Sequence, residues 1–172
     1  MPFSTADLCD EFCGKTYDPH IHNLQIVDSC LNNYGMRPRI HGEVVTLKLF
    51  EDNQLVREQV QSNGLDENGK GKVLVVDGGG SMRRALLGDM LAGFASDNGW
   101  NGIIINGCIR DSVEMATIDI GIKALGTHPL PNLKKGVGNM NAPISFLGLN
   151  IDAGNYIYAD EDGIIVSPKA LV

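Results

Sequence analysis

Three charged residues at a fixed spacing are the first candidates for chemistry in this sequence. Arg110 and Asp111 are adjacent and follow the uncharged segment 103–109, and twenty residues separate Asp89 from Arg110. An arginine guanidinium offers a planar pair of donors to a carboxylate. Aspartate offers the hard oxygen ligands that Mg²⁺ and Mn²⁺ prefer. Each feature also has a structural alternative: Arg110 with Asp111 as an ion pair, and Asp89 as a helix cap.

The segment around Asp89 is typical of a helix start that could bind an anion. "GDMLAGFASDNGW" predicts a helix with Asp89 at its N-cap and an end near Asn98. The amides of Met90 and Leu91 then have no partner inside the helix. With the positive end of the helix dipole, they suit a small carboxylate. Gly88 has no side chain to obstruct such a ligand.

The elements between Asp89 and Arg110 predict where these groups meet. The predicted helix and the buried strand "NGIIING" fill the interval. The helix start and the strand end should therefore lie at the same edge of the sheet, where α/β folds bind ligands. An anion-binding helix start, a guanidinium and two carboxylates are predicted to converge at this edge.

A run of three glycines, Gly78–Gly80, follows another buried strand, "KVLVVD". It lacks the lysine and hydroxyl residue of a P-loop, and no third glycine begins a helix at the dinucleotide-binding offset. Two interpretations stay open: a tight turn with positive φ angles, or a loop whose backbone lies close to a ligand.

Strand-like and helix-like segments alternate, which predicts one α/β domain with a mixed sheet over residues 1–172. Residues 39–50 are predicted to form a strand, as are 143–151 and the last segment, 160–168. Residues 17–38, with two prolines, are predicted to be a loop with at most one helical turn.

The composition excludes several classes of function. The net charge of −7 argues against direct nucleic-acid binding and against an acidic membrane surface, although a basic protein partner stays open. No apolar run reaches the roughly 18 to 20 residues of a membrane span. The N-terminus has acids and no apolar core, unlike a secretory signal. A cytoplasmic protein with four free thiols is expected.

Four segments together resemble the RraA-like family: "VLVVDGGGSMRRALLGDMLA", "GWNGIIINGCIRD", "DIGIKALGTHPL" and "YADEDGIIVSP". The similarity extends over nearly the whole chain, from Thr5 to Val172, with divergence around Tyr34 to Arg39. The resemblance implies a compact α/β/α domain of the swivelling, phosphohistidine-like type. It also implies a homotrimeric ring, in some members a hexamer, with sites at subunit boundaries.

The family includes class II aldolases for 4-hydroxy-4-methyl-2-oxoglutarate and 4-carboxy-4-hydroxy-2-oxoadipate. The resemblance implies a small 2-oxo-acid substrate, a divalent metal (Mg²⁺ or Mn²⁺), release of pyruvate and decarboxylation of oxaloacetate. The family also includes a protein inhibitor of the endonuclease RNase E, so an endonuclease partner is the alternative. Other members are labelled menaquinone methyltransferases, but this sequence has no recognisable methyl-donor nucleotide site.

The family's site residues match positions in this chain. Gly88 to Leu91 resemble the segment that holds the substrate, with the amides of Met90 and Leu91 facing the pyruvyl carboxylate. Arg110 resembles the residue that binds the substrate oxygens, Asp111 the direct metal ligand, and Asp89 the residue that holds a water for proton transfer. Members that only regulate the nuclease are expected to lack the final aspartate, so its presence favours an enzyme.

One departure from the family concerns the C-terminus. Larger aldolases of the family contribute a glutamate from a neighbouring subunit's C-terminal extension, and the sequence shows no such extension beyond Val172. The resemblance therefore implies either weak activity on the bulky tricarboxylate or another group in the glutamate's role.

Overall fold

The computed structural model describes residues 3–28 and 30–172; Met1, Pro2 and Ser29, which belong to segments interpreted above, lie outside the described residues. The helices are α1 (Thr5–Phe12), α2 (Gln54–Val60), α3 (Asp89–Asp97) and α4 (Ser112–Met115). The strands are β1 (Gln25–Asp28), β2 (Asn32–Asn33), β3 (Ile40–Leu49), β4 (Val73–Asp77), β5 (Ala85–Leu87), β6 (Gly102–Ile109), β7 (Gly121–Thr127), β8 (Gly138–Met140), β9 (Ile144–Phe146), β10 (Leu149–Ile151), β11 (Tyr156–Ala159) and β12 (Gly163–Ser167). None of the helices in the described ranges has both the length and the apolar character needed to traverse a bilayer.

A mixed sheet in the order β1-β12-β11-β3-β4-β6-β7-β2 forms the centre of the molecule. Strands β3, β4, β6 and β7 are parallel, and β11, β12 and β1 extend the sheet with antiparallel pairs. Every residue of β4 and β6 is buried, as expected for parallel strands covered on both faces. The predicted α/β class with a mixed sheet is confirmed.

The two faces of the sheet are covered by different kinds of structure. Successive strand residues point to opposite faces, and Leu74 and Val76 pack with α2 and α3. Val73 and Val75 instead pack against β9 and β10 on the other face. A helical layer therefore covers one face of the parallel strands, whereas a β hairpin covers the other.

The predicted strand over 143–151 is wrong, because the structure divides it into β9 and β10. Phe146 pairs with Leu149, and the two residues between them, Leu147 and Gly148, have φ angles of 52° and 80°. Two consecutive positive φ angles are typical of a type I′ hairpin turn. The turn folds the predicted strand back on itself.

The segment 17–38 is more ordered than predicted. It contains the expected helical turn, a 3₁₀ turn over Pro19–His22. It also contains the edge strands β1 and β2, which the sequence did not reveal because their residues are mostly polar or half-exposed. The triple glycine forms a tight turn, with φ angles of 66° and 68° at Gly79 and Gly80.

Two parallel strands end side by side at one edge of the sheet. Leu87, the last residue of β5, pairs with Ile109, the last residue of β6. The backbone N–H of Arg110 then donates to the carbonyl of Leu87 at 2.9 Å. Because β5 leads directly into α3, this pairing places the start of the helix beside the residues that follow β6.

Candidate active site

Arg110, Asp111 and the start of α3 meet at this sheet edge. Nε of Arg110 lies 3.3 Å from Oδ2 of Asp111. The backbone N–H of Asp89 points to the same oxygen at 3.4 Å. Both side chains of the ion pair are partly exposed, by 41% and 35%, so their charges stay accessible to a ligand. The structure thus brings together the three residues that the sequence singled out.

Asp89 does not occupy the position predicted for it. The N-cap of α3 is Gly88, and Asp89 is the first helical residue. Its Oδ1 accepts a hydrogen bond from the amide of Met90 at 2.7 Å. A carboxylate thus already lies against the first turn of α3, as the helix dipole favours. A ligand carboxylate that used the amide of Met90 would replace this contact and release the side chain of Asp89.

Asp111 has a left-handed backbone conformation, with φ 55° and ψ 43°. This region costs a residue with a side chain roughly 1–3 kcal/mol, and such residues concentrate at functional sites. Aspartate tolerates the conformation better than most residues. It turns the chain sharply from β6 into α4 and leaves the carboxylate beside Arg110.

The close approach of α3 to Arg110 and Asp111 requires glycine at position 88. A Cβ built on Gly88 would lie 2.6 Å from Oδ2 of Asp111 and 3.2 Å from Nε of Arg110. The φ angle of Gly88 is −125°, so its backbone conformation is open to any residue. The requirement is therefore one of space between these functional groups.

Gly88→Ala is expected to lower activity by about tenfold to a hundredfold, because displacement of a catalytic group by about 1 Å can cost a hundredfold. Thermal stability should change little, since the backbone conformation suits alanine. The matched control is Gly93→Ala on the same helix, where an added Cβ meets nothing within 4 Å. That variant should keep full activity and gain roughly 0.5–1 kcal/mol of stability. Equal activity of both variants would contradict the spatial requirement.

A cavity of about 310 Å³ opens at the same edge. The predicted substrate segment, Gly88 to Leu91, and Arg110 line it. The remaining lining comes from β5, from Asn53 at the N-cap of α2, from Arg57 in the last turn of α2, and from the segment 131–134. Asp111 is next to the lining residue Arg110. The volume lies at the lower end of small-molecule sites, roughly 300–1,000 Å³, and suits a compact metabolite.

The cavity is positively charged in an acidic protein. Arg57, Arg110 and Lys134 line it, with Asp89 as the one acidic lining residue in the described part of the chain. The chain as a whole has a net charge of −7. A concave cluster of cations concentrates anions locally, so the cavity favours an anionic ligand.

The sequence did not single out Asn53, Arg57 or Asn132 as site residues, nor did it single out Lys134. Its side chain is exposed, but it lines the cavity. These residues reach the site through long-range pairing, as in the parallel bridge between Ala85 and Pro131. No local spacing pattern predicts such a bridge.

Comparison with known proteins identifies the family to which the chain belongs. The family model described as RraA-like, Aldolase/RraA, matches residues 5–166. The chain belongs to the RraA-like family. The match includes Asp89, Arg110 and Asp111 as well as every strand up to β11 and most of β12.

Several RraA-like relatives are provisionally named 4-hydroxy-4-methyl-2-oxoglutarate aldolase. The protein from Alkalilimnicola ehrlichii is 50% identical over 172 residues, which cover 100% of this chain and 99% of the relative. The protein from Dechloromonas aromatica is 52% identical, with 99% of both chains covered. The protein from Pseudomonas aeruginosa is 51% identical, with 99% of this chain and 98% of the relative covered.

Solved RraA-like structures share the fold. The RNA-processing inhibitor RraA from Thermus thermophilis is 36% identical with a TM-score of 0.89, covering 100% of this chain and 96% of the other. A Geobacillus kaustophilus protein described as an S-adenosylmethionine:2-dimethylmenaquinone methyltransferase is 42% identical with a TM-score of 0.87, covering 98% and 97%. Relatives on this fold therefore have names from different functional classes, and fold alone does not decide the activity.

The donor atoms of this RraA-like site fit one kind of metal binding and not another. The described residues contain no group of three or more His, Cys, Asp or Glu side chains that could enclose a metal, and the four cysteines are free thiols. A closed, all-protein site therefore does not fit. Mg²⁺ commonly binds through one or two carboxylates, with water and substrate oxygens completing its shell. Asp111, with its partly exposed carboxylate, fits that arrangement.

Asp52 anchors the segment that forms one cavity wall. Its buried carboxylate accepts hydrogen bonds from the backbone N–H groups of Gln54, Lys135, Gly136 and Val137 at 2.8–3.3 Å. Burial alone raises the pKa of Asp52, but these backbone donors together lower the pKa below its ordinary value. The charged form of Asp52 thus holds the segment after Lys134 against the start of α2.

Asp52→Asn should destabilise the fold by about 2–3 kcal/mol, because hydrogen bonds to a charged acceptor are worth about 1.5–3 kcal/mol. Since the folded-state pKa is lowered, this contribution is present above the unfolded pKa of about 3.9. It is lost as the pH falls through the folded-state value. Urea unfolding should therefore show a gap between wild type and variant that is full at pH 7 and shrinks below about pH 4. A gap independent of pH would contradict the role of the charge.

Proposed function

We propose that the protein is a divalent-metal-dependent class II aldolase. It cleaves 4-hydroxy-2-oxo acids of the 4-hydroxy-4-methyl-2-oxoglutarate type to pyruvate, and it decarboxylates oxaloacetate. The observation that supports this most is the meeting of the α3 start, Arg110 and Asp111 beside a cationic cavity. The provisional names of the relatives at about 50% identity support the same reaction.

The α3 start and Arg110 bind the 2-oxo-acid end of the substrate. Its carboxylate accepts hydrogen bonds from the first-turn amides of Met90 and Leu91, which have no backbone acceptor within the helix, and lies at the positive end of the helix dipole. Arg110 donates to the 2-keto oxygen from its planar fork. Binding at the amide of Met90 displaces the Oδ1 of Asp89, which then becomes available to hold a water.

The bond cleavage requires a base at the 4-hydroxyl group and stabilisation of the negative charge at the 2-keto oxygen. A water held by Asp89 takes the hydroxyl proton. The C3–C4 bond breaks, its electron pair forms the pyruvate enolate, and the C4 fragment leaves as a carbonyl compound. Arg110 stabilises the enolate oxygen, and a proton returned to C3 completes pyruvate. A divalent cation held by Asp111 would supply Lewis-acid polarisation of the 2-keto group.

Decarboxylation of oxaloacetate uses the same groups. Loss of CO₂ from C4 leaves the same enolate at C3, so Arg110 and the start of α3 stabilise it in the same way. No lysine Schiff base is required, because the enolate charge develops beside a fixed guanidinium.

Pyruvate release is the experiment that tests this function. The purified protein with Mg²⁺ or Mn²⁺ should release pyruvate from 4-hydroxy-4-methyl-2-oxoglutarate and from oxaloacetate faster than the metal alone. Addition of EDTA should abolish the excess. A rate equal to the metal-only background for both substrates would reject the proposal.

A regulator of an RNase E-type endonuclease is the second candidate. The likeness to the RNA-processing inhibitor RraA, with a TM-score of 0.89, favours it. A pulldown experiment separates the two functions. The partner-binding region of such a nuclease is immobilised, and its binding of the wild-type protein is compared with its binding of the Asp111→Ala variant. Strong binding that is indifferent to the substitution, together with background pyruvate release, would favour the regulator over the enzyme.

A further inference from the structure

Part of the cavity wall is used by no step of the proposed reaction. It consists of Asn53 at the N-cap of α2 and Arg57 in the last turn of α2, with Asn132 and Lys134 from the segment after β7. The backbone fixes both sides, because the N–H of Asn132 donates to Ala85 and that of Asn53 to Leu133. These four side chains therefore form a defined second region of the same cavity.

Two amides in this region have unused hydrogen-bonding groups. Asn132 is only 6% exposed, and neither its Oδ1 nor its Nδ2 has a hydrogen-bond partner within the described residues. Oδ1 of Asn53 is also buried without a partner in that part of the chain. A buried polar group without a hydrogen-bond partner costs free energy, and native proteins contain few such groups. Because Asn132 also lines the cavity, a ligand bound there can supply the hydrogen-bond partner that its amide lacks.

Two cations line the same cavity as these amides. In the part of the chain that the structure describes, neither Arg57 nor Lys134 has a carboxylate within 4.0 Å. Arg57 is half-buried, and Lys134 is exposed at the cavity. A guanidinium, an ammonium and an amide donor together match the charge and the donor needs of a carboxylate. Arg110 and the start of α3 already provide for one carboxylate, so this region can bind a second.

We propose that Arg57, Asn132 and Lys134 form a subsite for the second carboxylate of the substrate, the one attached at C4. The subsite selects dicarboxylic 4-hydroxy-2-oxo acids over monocarboxylic ones of the same length. The inference rests on the proposed aldolase function for the identity of the ligand. The cavity of about 310 Å³ limits the choice to short chains.

A binding measurement tests the subsite without catalysis. Calorimetry in the presence of Mg²⁺ compares 2-oxoglutarate with 2-oxopentanoate, which have the same chain length but end in a carboxylate and a methyl group. Wild type should bind 2-oxoglutarate at least about tenfold more tightly, the effect of one charge-assisted hydrogen bond. Arg57→Met and Lys134→Met should each remove most of this preference.

Lys135→Met is the matched control. Lys135 is the neighbouring exposed lysine, and its backbone N–H, which the substitution keeps, donates to Asp52. This variant should keep the full preference for 2-oxoglutarate. The subsite is overturned if wild type binds both compounds equally or neither, or if the Lys135 variant loses the preference as the Lys134 variant does.

A kinetic comparison separates failure of the subsite from failure of the aldolase function. The ratio of kcat/KM for 4-hydroxy-2-oxoglutarate over 4-hydroxy-2-oxopentanoate should fall about tenfold to a hundredfold in Arg57→Met. If pyruvate is released but the ratio matches that of wild type, the subsite is wrong and the aldolase stands. If no pyruvate is released from either compound but calorimetry shows the preference, the aldolase is wrong and the dicarboxylate subsite stands.

Discussion

Asp111→Asn is expected to lower kcat/KM for pyruvate release by about 1,000-fold. The substitution keeps the shape of the side chain but removes the negative charge that would hold a divalent cation. The Lewis-acid contribution of such a cation is several kcal/mol, and roughly 4 kcal/mol corresponds to about three powers of ten. Because Oδ2 of Asp111 also lies 3.3 Å from Nε of Arg110, the variant should loosen the guanidinium as well. The measurement is steady-state pyruvate release at saturating Mg²⁺.

Glu114→Gln is the matched control for this substitution. Glu114 is an exposed carboxylate on α4, three residues after Asp111, and the same loss of charge there should leave the rate unchanged. If Asp111→Asn keeps more than about a tenth of the wild-type kcat/KM while its unfolding curve is normal, Asp111 is not the metal ligand. The proposed mechanism would then have no residue to hold the cation that polarises the 2-keto group.

Arg110→Met is expected to lower kcat by about 100-fold to 1,000-fold, the usual effect of removing one donor to a developing oxyanion. Methionine retains an apolar side chain but removes the guanidinium group. Arg110→Lys should recover only part of the rate, because an ammonium ion cannot make the planar two-point contact. The loss should appear in kcat more than in KM if the guanidinium acts chiefly on the enolate.

Arg37→Met provides the comparison for Arg110. Arg37 forms an exposed ion pair with Asp119 at 2.6 Å, and surface pairs of this kind contribute at most about 1 kcal/mol to stability. This variant should keep its activity. A kcat for Arg110→Met near that of wild type, with only KM raised, would show that Arg110 binds the ground state and does not stabilise the enolate.

The meeting of the main charged groups could be predicted because it follows from general rules of α/β sheets. Parallel strand ends share one edge, and the pairing of Leu87 with Ile109 fulfils that rule. The position of Asp89 within α3 was wrong by one residue. Sequence preferences favour aspartate over glycine as an N-cap, but the space beside Asp111 admits only glycine at position 88.

Most of the missed features depend on contacts between distant segments, and one depends on an unusual local backbone conformation. The edge strand β1 has little apolar signal of its own and forms by pairing with β12. The break between β9 and β10 depends on Leu147, a residue that rarely adopts the positive φ it has here. Asp52 binds backbone groups more than eighty residues away, and this contact places Lys134 at the cavity. The roles of the site residues, the metal and the assembly into a trimer or hexamer stay predictions.

A crystal structure with pyruvate and Mn²⁺ tests the central claim most directly. We expect the pyruvate carboxylate within hydrogen-bond distance of the amides of Met90 and Leu91, and its 2-keto oxygen beside Arg110. The anomalous signal of Mn²⁺ should lie at the carboxylate of Asp111. Pyruvate or Mn²⁺ bound elsewhere, with Asp111 and Arg110 still paired as they are in the free protein, would contradict the account.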